Sequence, residues 1–399
     1  MRLPLLLSML ALFALPVAAP AQDGAKVYKQ VVPSVVWVHS TRDRGMATGS
    51  GTLVDKEKRL VLTNYHVVGD NPTAKVFFPV FRDGKPIAER DYYLDRRNRL
   101  GIPGKVIALD KKADIALIRI EAVAKDVEAV PLATDSPDTG ANTHTIGNAG
   151  ASGSLFGYVK GTVRQVYRKK WAAELEPRKV INFEAKVVET DSPTNPGDSG
   201  GPLLNEKGEL IGVTQGGAIK AQLVSTFIDV SEVKKLLAAR AVKDIKGEKP
   251  VVRVVREKAL PIADGAKLFK DETVAAGYEA VVDLFKKDID VMIETHAKAP
   301  EARYEEVKAA TPAKRTELFR EWTLNRMEKQ GVNSIGILIC SDPKSLYVAV
   351  SADAKKQFPD GFEGQLRDAV IKGLKDNKPD DGLKEAIKLI QDNRGKGKQ

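Results

Sequence analysis

The stretch Asn195-Pro196-Gly197-Asp198-Ser199-Gly200-Gly201-Pro202-Leu203-Leu204 sets a serine between glycines. Such a turn is tight enough to present the Ser199 hydroxyl at a surface. It can also aim the backbone N–H groups of Gly197 and Ser199 at one point, where a developing oxyanion would be held. That is half of an acyl-transfer site, because a serine hydroxyl is a poor nucleophile until a neighbouring base takes its proton. The other half requires a histidine and a carboxylate elsewhere in the chain.

Both are present. An apolar, strand-like run, Arg59-Leu60-Val61-Leu62-Thr63-Asn64-Tyr65-His66-Val67-Val68, ends near His66, and Asp114 is an isolated acid at the mouth of the apolar run Ile115 to Ile120. The order His66, Asp114, Ser199 is that of chymotrypsin-type serine proteases and not of subtilisins or α/β-hydrolases. Around these residues the blocks Gly49-Ser50-Gly51-Thr52-Leu53-Val54-Asp55, Leu62 to Val68, Ala113 to Ile118, Ile146-Gly147-Asn148 and Thr190-Asp191 leading to Asn195-Pro196-Gly197 follow one another in register. Together they resemble the bacterial trypsin-like proteases of the HtrA/Deg group over roughly residues 27 to 240. The resemblance implies two six-stranded barrels with the site between them, His66 as general base, Asp114 orienting it, Ser199 as nucleophile, and Gly197 and Ser199 as oxyanion donors. Asp198 stands where that group more often has Asn, though Asp is usual in the wider superfamily. No PDZ-like segment is recognisable after the barrels, so peptide sensing and large cages are not carried over.

Across 399 residues the chain is 43% apolar and 29% charged, an ordinary globular composition with room for two or three domains. The net charge of +10 is spread through both halves and no basic stripe carries interleaved aromatics, so no nucleic-acid partner is expected. Residues 1–21 have the anatomy of a signal peptide: Arg2, an apolar run from Leu3 to Val17, and Ala19-Pro20-Ala21 for cleavage near Ala21. The expected location is therefore exported, periplasmic or secreted, with no stable membrane span after leader removal; a retained leader would instead act as an anchor. The single cysteine, Cys340, cannot form an internal disulfide and reads as a buried small hydrophobe.

Many short β-like runs separated by Gly, Asp and Asn fill residues 25–242: Val35 to Val38, Leu60 to Thr63, Lys75 to Phe78, Val106 to Ala108, Ile115 to Ile120, Val180 to Phe183, Lys186 to Glu189, Leu210 to Thr214 and Leu223 to Ile228. A serine-capped helix from Ser231 closes the region. The segment Arg82 to Lys105, of mixed polarity, reads as a surface excursion without an assignable role. Residues 243–258 are the expected linker. From 259 to 393 helical and strand patterns alternate: a helix capped by Asp271, a strand near Ile289 to Thr295, a helix from Thr311-Pro312, a hairpin of Ile335 to Cys340 with Leu346 to Val350, then two amphipathic helices. That region resembles the TPM domain, notably in Ala263 to Phe269, Asp290 to Thr295 and the hairpin. Residues 394–399 form a basic tail. The fold class is thus multidomain: an all-β chymotrypsin-like double barrel, then a smaller α/β sandwich.

The expected function is an exported serine endopeptidase acting through an acyl-enzyme on unfolded or misfolded protein substrates. The resemblance to trypsin-like enzymes implies that the residue six before the nucleophile, here Pro193 flanked by Ser192 and Thr194, forms the base of the primary pocket, a neutral floor suited to small or medium apolar side chains. The stretch from Gly212 to Gly217, with Gln215 and Gly216, is the expected edge for substrate backbone. No cofactor is expected. No metal site is expected either, since Asp342 and Asp353 fit turn and cap roles; Asn148 and Asn195 read as structural turn residues, and His39, His144 and His296 as structural or exposed. The alternative is a catalytically silent protease fold that binds or chaperones proteins. Oligomeric state is left open.

Overall fold

The computed structural model describes residues 23–42, 45–176, 179–217, 224–239, 252–253 and 255–397. The leader, most of the linker, Leu223 and the last two tail residues lie outside them.

Two sets of six strands close on themselves. The first contains β1 (Val35–Arg42), β2 (Gly45–Asp55), β3 (Leu60–Thr63), β4 (Thr73–Phe77), β5 (Ile102–Asp110) and β6 (Ile115–Ile120), in the order β1-β2-β3-β6-β5-β4. The second contains β7 (Asn142–Gly147), β8 (Gly157–Glu176), β9 (Lys179–Thr190), β10 (Pro202–Leu204), β11 (Leu210–Gly217) and β12 (Ser225–Asp229), in the order β7-β8-β9-β12-β11-β10. The runs Val180 to Phe183 and Lys186 to Glu189 are one continuous strand, because Glu184 and Ala185 stay in register with Lys170 and Lys169 of β8.

Strand alternation explains why the barrels meet. Val36, Val38, Val61, Val76, Ala116 and Ile118 pack together in one cluster. Their neighbours Val35, Trp37, Leu62, Phe77, Ile115 and Leu117 point the other way, into a cluster that continues through Ile146, Val187, Val213 and Ile228 of the second barrel. Strands such as β3, buried on both faces, therefore read in the sequence as unbroken apolar runs. The helix Asp23–Val31 closes one side of this seam with Val27 and Val31.

Downstream, β13 (Ala263–Asp264), β14 (Val291–His296), β15 (Ile335–Cys340) and β16 (Ser345–Val350) form one sheet, with β13, β14 and β15 parallel and β16 antiparallel. Ile335, Ile337 and Ile339 face Leu284, Phe285, Leu366 and Ile387 of the helices Asp271–Lys286, Phe362–Lys375 and Pro379–Asn393. Leu338 and the buried Cys340 face Leu318 and Phe319 of the helix Pro312–Gln330 on the other side.

Three local expectations need correction. The closing helix begins at Val230, and Asp229 Oδ1, not Ser231, takes the free N–H of Ser231 at 2.8 Å. Asp271 is the first residue of its helix, with Lys270 at the cap position. The segment Arg82 to Lys105 is no surface excursion. Its helices Arg90–Leu94 and Arg97–Leu100 bury Tyr93 and Leu100 in the seam, and the Tyr93 hydroxyl donates to Ile87 O (2.9 Å) while accepting from Val80 N (3.0 Å). Asn98 N and Arg99 N donate to Asp288 of the C-terminal domain at 2.7 and 3.2 Å, and the Arg99 guanidinium lies 3.8 Å over the Phe285 ring.

His39 on β1 is buried edge-on to Trp37, ring centroids 4.0 Å apart, and burial with the nearby charges of Lys75 and Arg90 lowers its pKa from about 6.5 to about 4. Between those values an unfolded histidine binds a proton that the folded one refuses. The contribution of this site is therefore intact above about pH 6.5 and is lost as pH falls, by up to about 3 kcal/mol near pH 4. Chemical denaturation from pH 7 to pH 4 should show this slope in the wild type and a visibly flatter one in His39→Phe.

Candidate active site

Strand β5 ends at Asp110, whose Oδ1 accepts Lys112 N (3.0 Å) and Ala113 N (2.9 Å), and the resulting turn delivers Asp114 at φ +60° with no exposed surface. A left-handed aspartate is a modest strain, held here by the paired turn. Strand β3 ends at Thr63. His66 lies on the single helical turn Tyr65–Val68 that follows, not at a strand end. Asp114 binds that turn twice, Oδ2 to His66 Nδ1 at 2.7 Å and Oδ1 from His66 N at 2.9 Å. Asn64 Nδ2 donates to Asp114 O at 2.8 Å from the other side, a role that the sequence reading missed.

Ser199 lies on the second barrel, before β10. Gly49 of β2 sits between it and the histidine turn, so close that a Cβ there would lie 2.6 Å from a Val67 methyl and 3.0 Å from Ser199 O. Ser50 N donates to Ser199 O at 2.7 Å, and Ser50 Oγ donates to Gly197 O at 2.8 Å. The remaining carbonyls of the turn are also engaged, Asn195 O by Asp198 N, Pro196 O by Gly150 N and Asp198 O by Gly201 N. Gly197 adopts φ +103°, and a Cβ on it would lie 2.5 Å from Asn148 O, so only glycine fits. Among the described residues the N–H groups of Gly197 and Ser199 meet no acceptor. Ser199 Oγ donates to Gln215 O at 3.3 Å.

The sequence-nominated specificity residues differ in their surroundings. Pro193 is exposed, Ser192 is buried against Thr190, and Thr194 Oγ1 bonds Ser225 Oγ at 2.9 Å. On β11, Thr214 pairs with Gly201 and Gly200, whereas among the described residues Gly216 and Gly217 pair only with β12. Asn148 is structural, its Nδ2 reaching Val36 O and Ser50 Oγ and its Oδ1 taking Phe156 N. Of the other histidines, His144 meets Tyr158 at 2.7 Å, and His296 meets Glu294, which despite burial is held near pKa 2 by His296 and a two-pronged bond from Arg326.

Residues 49–213 match the family model of the trypsin-like peptidase domain, and residues 262–393 match that of the TPM domain. This chain joins a trypsin-like peptidase domain to a TPM domain. Its peptidase domain is similar to periplasmic serine endoprotease DegP of Escherichia coli (strain K12), 33% identical over 169 residues, 42% of this chain and 30% of that protein. It is also similar to serine protease HTRA1A of Danio rerio, 30% identical over 198 residues, 47% of this chain and 36% of that protein. The chain thus spans about a third of the length of these curated relatives. The crystal structure of the active form of the Rv3671c protease of M. tuberculosis aligns with 24% identity and a TM-score of 0.44, over 62% of this chain and 97% of that one.

Within the peptidase domain Ser50 is the residue whose role its sequence hides, a serine between glycines with no local sign of its remote partners. Its hydroxyl donates to Gly197 O and accepts from Asn148 N (3.0 Å) and Nδ2 (3.1 Å). Ser50→Ala strands these buried groups, so its unfolding free energy, read from denaturant midpoints, should drop by about 1–3 kcal/mol.

Proposed function

We propose that the chain is an exported serine endopeptidase that cleaves unfolded or misfolded proteins through an acyl-enzyme formed on Ser199. The observation that carries this reading is the two-point grip of Asp114 on His66, with the histidine turn and the Ser199 turn packed on either side of Gly49. Asp114 would hold the imidazole with Nδ1–H toward the carboxylate, leaving Nε2 to take the Ser199 proton and later pass it to the leaving amine. The hydroxyl would exchange its bond to Gln215 O for one to His66 before attack. The unengaged N–H groups of Gly197 and Ser199 would then bind the oxyanion.

Substrate backbone would add beside Gln215 and Gly216, where β11 loses its ladder toward β10, which calls for a locally extended chain. Pro193 with Ser192 and Thr194 supplies neutral groups only, which favours small or medium apolar side chains before the scissile bond. The two closed barrels with the site at their seam support the chymotrypsin-like double-barrel reading, and the sheet with helices on both faces supports an α/β sandwich for the TPM domain. We assign residues 25–242 to the peptidase unit and 259–393 to the TPM unit, with 243–258 between them. The leader-like residues 1–21 support export, and the periplasm is the named location of DegP.

Labelling of the folded protein by a fluorophosphonate probe tests the reading. Wild type should label, whereas Ser199→Ala and heat-denatured protein should not. On quenched peptides, His66→Ala should lower kcat by about six orders of magnitude and Asp114→Asn by about four. Peptides with Val or Ala before the cleaved bond should be cut faster than those with Lys or Asp. Well-folded wild type that neither labels nor cleaves, even with unfolded protein present, would instead support a silent binding fold.

A further inference from the structure

Arg90 opens the helix Arg90–Leu94, and its Nη2 donates to Asn148 O at 3.0 Å and Ala149 O at 2.8 Å. Its guanidinium carbon lies 5.3 Å over the Trp37 ring, and its buried Nε has no partner among the described residues. The backbone beside it reinforces the contact, with Leu155 N donating to Ala88 O at 2.8 Å and Glu89 bridging to Ser154. The cation is thus built into the loop from Asn148 to Leu155.

That loop sets the direction of one peptide plane. Gly150 N donates to Pro196 O at 2.6 Å. In a trans peptide the carbonyl and the following N–H point opposite ways, so a bond that fixes Pro196 C=O also fixes the Gly197 N–H. If the loop from Asn148 to Gly150 moved, the Pro196–Gly197 plane would be free to turn, and Gly197 at φ +103° has the backbone freedom to allow it. The neighbouring Asp198 lies over Gly147, close enough that a Cβ there would meet its Oδ1 at 2.3 Å. Burial raises the Asp198 pKa, while Asn195 N–H and the Arg90 charge draw it down.

We propose that Arg90 is a positioning residue of the acyl-transfer site, which pins the carbonyls of Asn148 and Ala149 so that Gly150 holds the Pro196–Gly197 peptide with its N–H presented to the oxyanion. It touches neither substrate nor the triad. The proposal rests on the peptidase reading for its kinetic consequence and stands on its own for the structural one.

Both consequences can be read separately. On a quenched peptide, Arg90→Met should lose about 10- to 1000-fold in kcat with KM changed less than about threefold, since one oxyanion donor is worth about 10²–10³ in kcat. Arg90→Lys, which keeps the charge and can reach one carbonyl, should recover part of the loss. Millimolar methylguanidinium should restore Arg90→Ala, whereas sodium chloride at equal ionic strength should not. In the Ser199→Ala background, where turnover plays no part, Arg90→Met should speed hydrogen exchange in segments 148–150 and 196–199 while β14 and β15 of the TPM domain keep their protection. Wild-type kcat in Arg90→Met, or unchanged exchange in those segments, would overturn the proposal. So would a loss of kcat matched by a general loss of protection and unrescued by methylguanidinium. Faster local exchange in a protein whose wild type neither labels nor cleaves would leave the positioning role standing and remove the peptidase reading.

Discussion

Ser50 joins the two barrels at the point where the site is assembled. Its amide donates to Ser199 O and its hydroxyl to Gly197 O, so a strand of the first barrel holds the Ser199 turn of the second. His66 and Asp114 belong to the first barrel and Ser199 to the second, so their approach to one another depends on the seam being closed. Closure in turn depends on the outward faces of strands such as β1 and β6, whose Val35, Trp37, Ile115 and Leu117 bury against the second barrel. The serine turn divides its backbone groups in a consistent way. Carbonyls from Asn195 to Ser199 are all engaged, those of Pro196, Gly197 and Ser199 by donors from outside the turn, whereas the amides of Gly197 and Ser199 have no acceptor among the described residues. A half-buried turn with its acceptors satisfied and two donors open suits a negative charge that exists only in passing.

What the sequence made legible were features whose cause is local. Leu60 to Thr63 and Ile115 to Ile120 are continuous apolar runs because both faces of those strands are covered, and their bounds fall where expected. The glycine-serine turn announces itself because no other residue type tolerates its backbone at Gly197. Thr311-Pro312 starts a helix as read, with Thr311 Oγ1 taking Lys314 N. Cap positions elsewhere were less legible, since Asp229 and Ser231 are both competent caps and only the path of β12 decides between them.

The segment Arg82 to Lys105 was misread for a physical reason. Arg90 and Arg99 look solvated in a sequence, because an arginine is normally buried only when it is paired. Here the partners are remote. Asp288 lies 189 positions from Arg99, and the carbonyls that receive Arg90 lie 58 and 59 positions away. Nothing in the local composition distinguishes a guanidinium that will meet such partners from one that will meet water. The same limit applies to Asp353: the cap of its helix is Ser351, and the Asp353 carboxylate instead meets Lys356 and reaches Lys75 of β4 at 3.1 Å.

These contacts form a continuous path, from Asp288 through Asn98 and Arg99, along two short helices locked by Tyr93, to Arg90 and the Asn148 to Gly150 loop. Contiguity alone does not make a signalling route, which requires an element with two discrete arrangements whose balance both ends can bias. Tyr93 is fully buried and bonded on both sides, and Arg99 is sealed between Asp288 and the Phe285 ring. Moving the segment as a unit would break all of these bonds at once. Its geometry is therefore that of a brace: the TPM domain supports one end, the peptidase loop takes the other, and the position of the Pro196–Gly197 peptide is set by parts of the chain far from it in sequence.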